Sequence, residues 1–304
     1  MSFKNALRIL ISRFTLVWIL ALYMLILVTI VGLLSLTFVM PVVEGLEQAK
    51  FFESVAGIFS KFWEGTASLN AVGEEIGELV DQVRVFFQDN SPLVIRTNVM
   101  FFIVLFIYKF VLGFYELPMY RVLDGAMSSD ARLGFVNRLV SCIGQSSRFV
   151  LVKIIYTTLY DALFLYILYN LLGLFFAPYA ILAPLIICVY VIVFQSLRYT
   201  LIAFWGQEVT LDGKPIFQSF VSSVKKSGKN FASVFSSFVV MWIVFITLNL
   251  FVGIFTFGAG LIATIPMCML FVCVLNMSLF YNKTGRRHYV DGEIVTPAAN
   301  LNEK

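Results

Sequence analysis

Six long apolar runs constrain this chain more than any other feature of its sequence. Each run holds about 20 or more residues, which is the length that a helix needs to cross a bilayer. The runs are continuous and do not alternate with polar residues, so they predict helices and not the strands of a membrane barrel. They extend approximately over residues 14–39, 93–114, 149–175, 179–205, 231–257 and 261–281.

The composition excludes several broad classes of protein. The chain has 304 residues, of which 60% are hydrophobic and 13% are charged, whereas about 25% are charged in an ordinary soluble domain. A soluble domain of this size would have to expose large apolar patches. The sequence therefore excludes a soluble enzyme, a disordered chain and a secreted disulfide scaffold, and it predicts an all-α polytopic membrane protein.

The distribution of charge predicts how the spans are oriented. Segment 41–92 carries three cations and nine anions, a net charge of −6, whereas the rest of the chain carries +10. Basic residues remain on the cytoplasmic side of a membrane. The pattern predicts six spans in a bacterial plasma membrane, with cytoplasmic N- and C-termini and with 41–92 as an extracytoplasmic insertion.

An internal repeat is visible at an offset of 82 residues. This offset aligns Pro184 with Pro266 and Tyr199 with Tyr281, and a Leu-Asp-Gly triplet precedes each copy, at 123–125 and at 211–213. The repeat predicts a cytoplasmic Asp-Gly turn, a short amphipathic interfacial helix and a transmembrane hairpin. We expect one membrane domain over 1–304, built from hairpin repeats at 1–117, 118–206 and 207–282 and followed by a cytoplasmic tail at 283–304.

The predicted interfacial helices carry cations that suit anionic lipid headgroups. We expect these helices over 133–148 and 216–230, with a degenerate third copy over 3–13. Their apolar faces would lie in lipid or against the helix bundle, and their cations would face the headgroups. The candidate headgroup contacts are Arg138, Arg148, Lys225, Lys226 and Lys229.

Pro184 and Pro266 occupy matching places in the outer halves of spans four and six. A proline inside a membrane helix kinks it, and neighbouring groups satisfy the freed carbonyls. We favour this structural role, and a gating hinge is the alternative.

The acidic insertion contains two predicted amphipathic helices of its own. Apolar residues recur with helical spacing from 51 to 63 and again from 72 to 86. The resulting helical hairpin is either a cap on the outer membrane surface or the helix bundle, or a docking surface over 45–90 for a protein partner. Long insertions often carry function, so both interpretations stay open.

Ionisable residues inside the predicted spans are the candidate intramembrane site, because a charge in hydrocarbon is costly. Lys109 and Arg198 lie close enough to span ends to extend towards water, whereas the short Asp161 side chain needs a partner. We predict a cluster of Asp161 with Lys109 or Arg198 or both, with Gln195 one turn away. We favour a structural buried pair, and a proton, ion or substrate site is the alternative.

Motifs for catalysis, metals, cofactors and nucleic acids are absent from the sequence. His288 is the only histidine and falls in the basic tail, where we expect it to be solvated. The four cysteines fall in predicted spans or on the cytoplasmic side, which disfavours disulfides. We therefore expect no enzymatic activity, no cofactor and no nucleic-acid partner.

The last 90 or so residues resemble a loose group of bacterial six-helix membrane proteins. The stretches KPIFQSFVSSVKKSGKNFASVF and FTFGAGLIATIPMCMLFVCVLNMSLFYN carry this resemblance. The group includes the membrane domain attached to some glycerophosphodiester phosphodiesterases, and most of it is uncharacterised. The resemblance implies a fold, and the phosphodiesterase domain itself is absent here. The matching positions are Ser223, Asn230, Phe231, Thr256, Gly258, Gly260, Pro266, Phe280 and Tyr281.

Two functions are compatible with these patterns. The first is a non-enzymatic scaffold, regulator or accessory factor in an envelope or membrane process. The alternative is a transporter, channel or lipid-handling protein with an inward-facing cavity near Asp161. A transporter needs a continuous polar path, and the outer halves of the spans contain little that is polar.

Overall fold

The computed structural model describes residues 2–48, 50–64, 69–129, 134–175, 183–290 and 292–295. These residues form two compact units, a smaller unit over Ile26–Lys109 and a larger unit over Met1–Leu25 and Phe110–Lys304. Within the described residues the fold is helical apart from one short β-hairpin. Six of the helices are long and apolar enough to cross a membrane, as the sequence predicts.

The six candidate spans are α2 (Thr15–Gln48), α5 (Ser91–Phe114), α8 (Ile143–Phe175), α9 (Ala183–Leu201), α12 (Phe231–Phe255) and α13 (Leu261–Lys283). The shorter helices are α1 (Ser2–Ser12), α3 (Phe51–Trp63), α4 (Leu69–Asp89), α6 (Glu116–Ser129), α7 (Phe135–Ser141), α10 (Trp205–Thr210) and α11 (Ile216–Lys229). The hairpin consists of β1 (His288–Val290) and β2 (Glu293–Val295).

Two predicted boundaries are wrong. The first span was expected to end at residue 39, but α2 continues through Pro41 to Gln48 because a proline removes only one hydrogen bond from an otherwise apolar helix. The interfacial helix expected over 133–148 is divided. Helix α7 ends at Ser141, and the dihedrals of the following Cys142 leave the helical region. Helix α8 begins at Ile143, so that Arg148 belongs to α8.

The core of the larger unit surrounds the C-terminal half of α13. Residues 270–281 of α13 are almost all buried, whereas Ile262 near its start is exposed. Helices α1 and α6 pack on α13, β1 packs on α1 and α6, and α10 packs on α6 and α11. We call α1, α6, α10, α11 and the β-hairpin the α13 layer, because α1 and α6 pack on the buried half of α13 and the other elements pack on α1, α6 or α10.

Consecutive long helices also pack together in the larger unit. Helix α8 contacts α9, α12 contacts α13, and α9 contacts α12. The connection between α12 and α13 reverses the chain with Phe257 and Gly258 at positive φ, at 49° and 86°. Glycine adopts this conformation without strain, which explains the Gly-rich sequence of this turn.

The predicted Asp-Gly turns are right at one site and wrong at another. Gly213 adopts a φ of 65° in the connection between α10 and α11. Asp124 and Gly125, in contrast, lie inside α6. Burial of Leu123 and Gly125 and a hydrogen bond from the Tyr281 hydroxyl to the Asp124 carboxylate hold this stretch helical.

Residues 288–290 and 293–295 of the tail form a short β-hairpin that was not predicted. Val290 pairs with Glu293, and Gly292 has a φ of 79°. The His288 side chain is buried, with its ring centroid 5.4 Å from that of Tyr281, so the expectation of a solvated histidine is wrong. An Asp-Gly pair between alternating residues is a hairpin signal, and it could have revealed this element.

The smaller unit contains the acidic insertion. Helices α3 and α4 pack on each other, and the Lys61 Nζ atom lies 2.6 Å from Glu75 Oε1. Helix α2 approaches α4 closely at Gly45, where a Cβ atom would lie 2.7 Å from the Phe86 ring. Asn90 alone separates α4 from α5, so the insertion is joined directly to a candidate span.

Candidate functional site

An ion pair joins α8 to α9 at the predicted intramembrane site. The Arg198 Nη1 atom lies 3.0 Å from Asp161 Oδ1, and both side chains are partly exposed. The distance is that of a charge-assisted hydrogen bond, which is stronger than a neutral one. The structure thus brings together two of the four residues in the predicted cluster.

Tyrosines flank this ion pair and join the same two helices. The Tyr160 hydroxyl donates to the Phe194 carbonyl at 2.6 Å, and the Tyr190 hydroxyl donates to the Phe164 carbonyl at 2.8 Å. The four rings also pack on one another, with centroid separations from 4.6 to 5.4 Å. These contacts fix the register of α8 on α9 around the ion pair.

The other two members of the predicted cluster are Gln195 and Lys109. Gln195 lies on α9, and it makes no hydrogen bond within the described residues. Lys109 belongs to the smaller unit. Their participation in a site stays a prediction.

A second ion pair, between Lys153 and Glu116, joins α8 to the first turn of α6. Both side chains are largely buried. A lysine removed from water in this way needs a nearby anion, and Glu116 supplies it. This ion pair was not predicted from the sequence.

Glu208, the most buried carboxylate among the described residues of the larger unit, was not predicted. Glu208 of α10 has no solvent exposure, and it binds two ammonium groups and one hydroxyl. Lys226 Nζ lies 2.6 Å from Oε1, Lys214 Nζ lies 3.0 Å from Oε2, and the Ser222 hydroxyl donates to Oε1 at 2.9 Å. Both carboxylate oxygens are therefore engaged by the protein, so the arrangement joins helices and does not offer a base to a substrate.

A ring of further contacts ties Glu208 to α13. Lys214 also approaches Asp212 at 3.7 Å, and Arg286 Nη2 lies 2.8 Å from Asp212 Oδ1. The Phe280 ring of α13 receives two cations, with Lys226 at 5.5 Å and Arg286 at 5.1 Å from its centroid. These ion pairs and cation–π contacts therefore join α10 and α11 to the end of α13.

A stripe of serines lets α11 approach the end of α9 closely. Ser219, Ser223 and Ser227 are buried and lie four residues apart, on one face of α11. The Ser223 hydroxyl accepts from the Phe204 amide and donates to the Leu201 carbonyl, both at 3.2 Å. It thereby satisfies backbone groups that are left unpaired where the chain bends between α9 and α10.

Serines therefore form the buried face of α11, and the apolar side chains of this helix divide between the core and the exposed surface. Phe220 packs inward, with its ring centroid 4.9 Å from that of Trp205. Phe217 and Val221 are instead 72% and 50% exposed. An open groove of about 520 Å³ follows this face and is lined by Phe217, Gln218, Val221, Ser222, Lys225, Lys226 and Lys229.

The residues predicted to contact headgroups differ in whether they form an ion pair within the protein. Lys226 forms an ion pair with the buried Glu208. Lys225 and Lys229 are exposed and form no ion pair within the described part of the chain. Arg138 lies in α7 and the exposed Arg148 in α8.

The candidate hinges are not tested by these contacts. Pro266 is buried inside α13. Pro184 is the second described residue of α9, and its side chain lies outside the described residues. No group of three potential metal ligands occurs among the residues that the structure describes.

Comparisons with known proteins do not identify a relative. No family model, no curated protein and no solved structure matches the chain. The functional argument therefore depends on the residues and their contacts.

The Glu208 site predicts that replacing Lys226 lowers the free energy of unfolding far more than replacing the adjacent Lys225. Lys226→Met leaves a fully buried carboxylate short of one partner and should lower the free energy of unfolding by about 3 kcal/mol. Lys225→Met removes an exposed charge and should change it by less than about 0.5 kcal/mol. Equilibrium unfolding of the purified protein in detergent micelles measures both. Equal losses in the two variants would contradict this account of Glu208.

Proposed function

We propose that this protein is a non-enzymatic scaffold, regulator or accessory factor of a bacterial plasma membrane, and that it docks a protein partner on the acidic insertion. The observation that carries this proposal is the set of exposed apolar side chains on α3 and α4. A docking surface commonly combines apolar anchors with a polar or charged rim.

The anchors form one stripe on each helix. Phe52 and Phe59 are exposed on α3, seven residues apart, and Val80 and Phe87 are exposed on α4 with the same spacing. Residues seven apart lie on the same side of a helix, two turns from each other. Each stripe could therefore receive the apolar face of one partner helix.

The charge of the insertion favours a particular kind of partner. Segment 41–92 has a net charge of −6, and Glu78 and Asp81 are exposed beside Val80. Such a surface attracts a basic amphipathic segment of another protein and is repelled by anionic headgroups. We therefore favour a protein partner over a cap that rests on the lipid surface.

Several observations support the proposed topology. The positive-inside rule favours cytoplasmic termini and an extracytoplasmic insertion. The packing of α8 on α9 and of α12 on α13 is what the second and third hairpin repeats require. The exposed apolar and basic side chains of α11 suit an interfacial helix. The proposed membership of the loose bacterial six-helix group depends on the sequence resemblance alone.

Site-specific photo-crosslinking tests the docking proposal. With p-benzoylphenylalanine in place of Phe59, which is 70% exposed, irradiation of native membranes should give a crosslinked product of defined protein mass. The matched control is Leu159 on the candidate span α8, which is 69% exposed and should crosslink to lipid. The Phe59 product should weaken when Glu78 and Asp81 are changed to glutamine, because complementary charge assists association.

A result in which positions 59 and 159 both give only lipid adducts would contradict the docking proposal. So would a protein product at position 59 that is insensitive to the two charge changes and equally strong at position 159.

One observation favours the alternative of a transporter, channel or lipid-handling protein. The Tyr156 hydroxyl and Ser196 Oγ are buried without a hydrogen-bond partner among the described residues, on the two helices that carry Asp161 and Arg198. Buried polar atoms of this kind can mark a site for water or a ligand. The hydrogen bonds and ring contacts that join α8 to α9 on either side of Asp161 and Arg198 nevertheless favour a structural ion pair.

Replacing Asp161 and Arg198 distinguishes a structural ion pair from a transporter or channel site. Asp161→Leu alone should cost about 3 kcal/mol, because it leaves Arg198 without its anion. The double variant D161L/R198M should recover stability to within about 1 kcal/mol of the wild type, because apolar side chains often replace a buried pair without loss. A structural pair also predicts wild-type activity of the double variant in a cell that depends on this protein. A stable but inactive double variant would instead support the transporter or channel.

A further inference from the structure

We infer that the groove on α11 binds one anionic phospholipid, with the phosphate on Lys225 and Lys229 and an acyl chain along Phe217 and Val221. This site is separate from the acidic insertion, so its failure or success leaves the docking proposal untouched. Three features of the groove support this inference. It ends at the start of a candidate span, its exposed face has an apolar half and a basic half, and Glu208 holds two of its lining side chains in place.

The groove ends where a candidate span begins. Helix α11 ends at Lys229, and α12 starts two residues later at Phe231. Lysines at the start of a membrane-spanning helix lie at the depth of the lipid headgroups. The exposed Phe231 ring stacks on Phe235 at 5.2 Å at the start of α12.

The exposed face of α11 divides into an apolar half and a basic half. Phe217 and Val221 lie one turn apart in the first half, and Lys225 and Lys229 lie one turn apart in the second. Side chains four residues apart on a helix can reach the same ligand. One phosphate can therefore accept from both ammonium groups while an attached chain covers the two apolar side chains.

Glu208 determines which lysines remain available to the lipid. Its carboxylate neutralises Lys226 at 2.6 Å and accepts a hydrogen bond from Ser222, and both of these residues line the groove. Their side chains are thereby held in place, which lowers the entropic cost of binding a ligand over them. Lys225 and Lys229 supply the charge that a phosphate needs.

A covering lipid also explains the exposure of Phe217. A phenyl ring that is 72% exposed is unfavourable in water, and acyl chains are the apolar partners available beside a membrane-spanning helix. A free phosphate ion would use the two lysines but would leave Phe217 and Val221 uncovered.

Native mass spectrometry of the full-length protein tests this site. The protein is reconstituted in phosphatidylcholine nanodiscs that contain a minor fraction of phosphatidylglycerol, and the lipids that stay bound after release are counted. The wild type should retain one phosphatidylglycerol. The double variant K225Q/K229Q should retain it about tenfold less, because each lysine near the headgroups contributes several-fold to affinity.

Two further variants make the result specific. K4Q/K283Q removes two exposed cations outside the groove and should retain the lipid like the wild type. Phe217→Ser keeps both lysines and should lower retention about fivefold, because the acyl chain loses its apolar contact. All these positions are exposed, so each variant should unfold at the same temperature as the wild type.

Three results would overturn the inference. The first is equal retention by K225Q/K229Q and K4Q/K283Q. The second is retention of phosphatidylglycerol by Phe217→Ser at the wild-type level. The third is displacement of the lipid by millimolar inorganic phosphate, which would assign the lysines to a free ion.

Discussion

The cost of placing a charge in hydrocarbon is the constraint on which this structure depends. Two ion pairs of the larger unit join a long helix to a neighbouring helix. Asp161 pairs with Arg198 between α8 and α9, and Lys153 pairs with Glu116 between α8 and α6. A pair of this kind adds little net stability compared with apolar side chains, but the loss of one partner is costly. The pairs therefore determine which helices adjoin and in what register.

The same constraint explains the α13 layer. Glu208 is fully buried, so it needs Lys214 and Lys226, and these two residues hold the α10–α11 connection and α11 itself against α10. The serine stripe of α11 permits this close approach. Because α11 buries its serine face, its outward face carries apolar and basic side chains. The proposed lipid site depends on that division of the helix.

Sequence reasoning succeeded where the signal is local and failed where partners are distant. Apolar runs reveal the six long helices because each helix satisfies its own backbone. Asp161 was recognisable because a short acidic side chain deep in a span must be paired. Glu208 was missed because its burial depends on Lys226, 18 residues later, and on the packing of α6 and α13. Asp124 was placed in a turn because the contact with Tyr281, 157 residues away, cannot be read from a dipeptide.

Thiol accessibility measures whether the acidic insertion and the end of α13 lie on opposite sides of the membrane, as the proposed sorting of charge requires. Val80 in the acidic insertion and Lys283 at the end of α13 are both exposed. Each is changed to cysteine in a variant whose four native cysteines are replaced by serine or alanine. A membrane-impermeant maleimide added to intact cells should label position 80 and not position 283, and it should label both after permeabilisation. Labelling of position 283 in intact cells, or protection of position 80, would contradict the proposed topology.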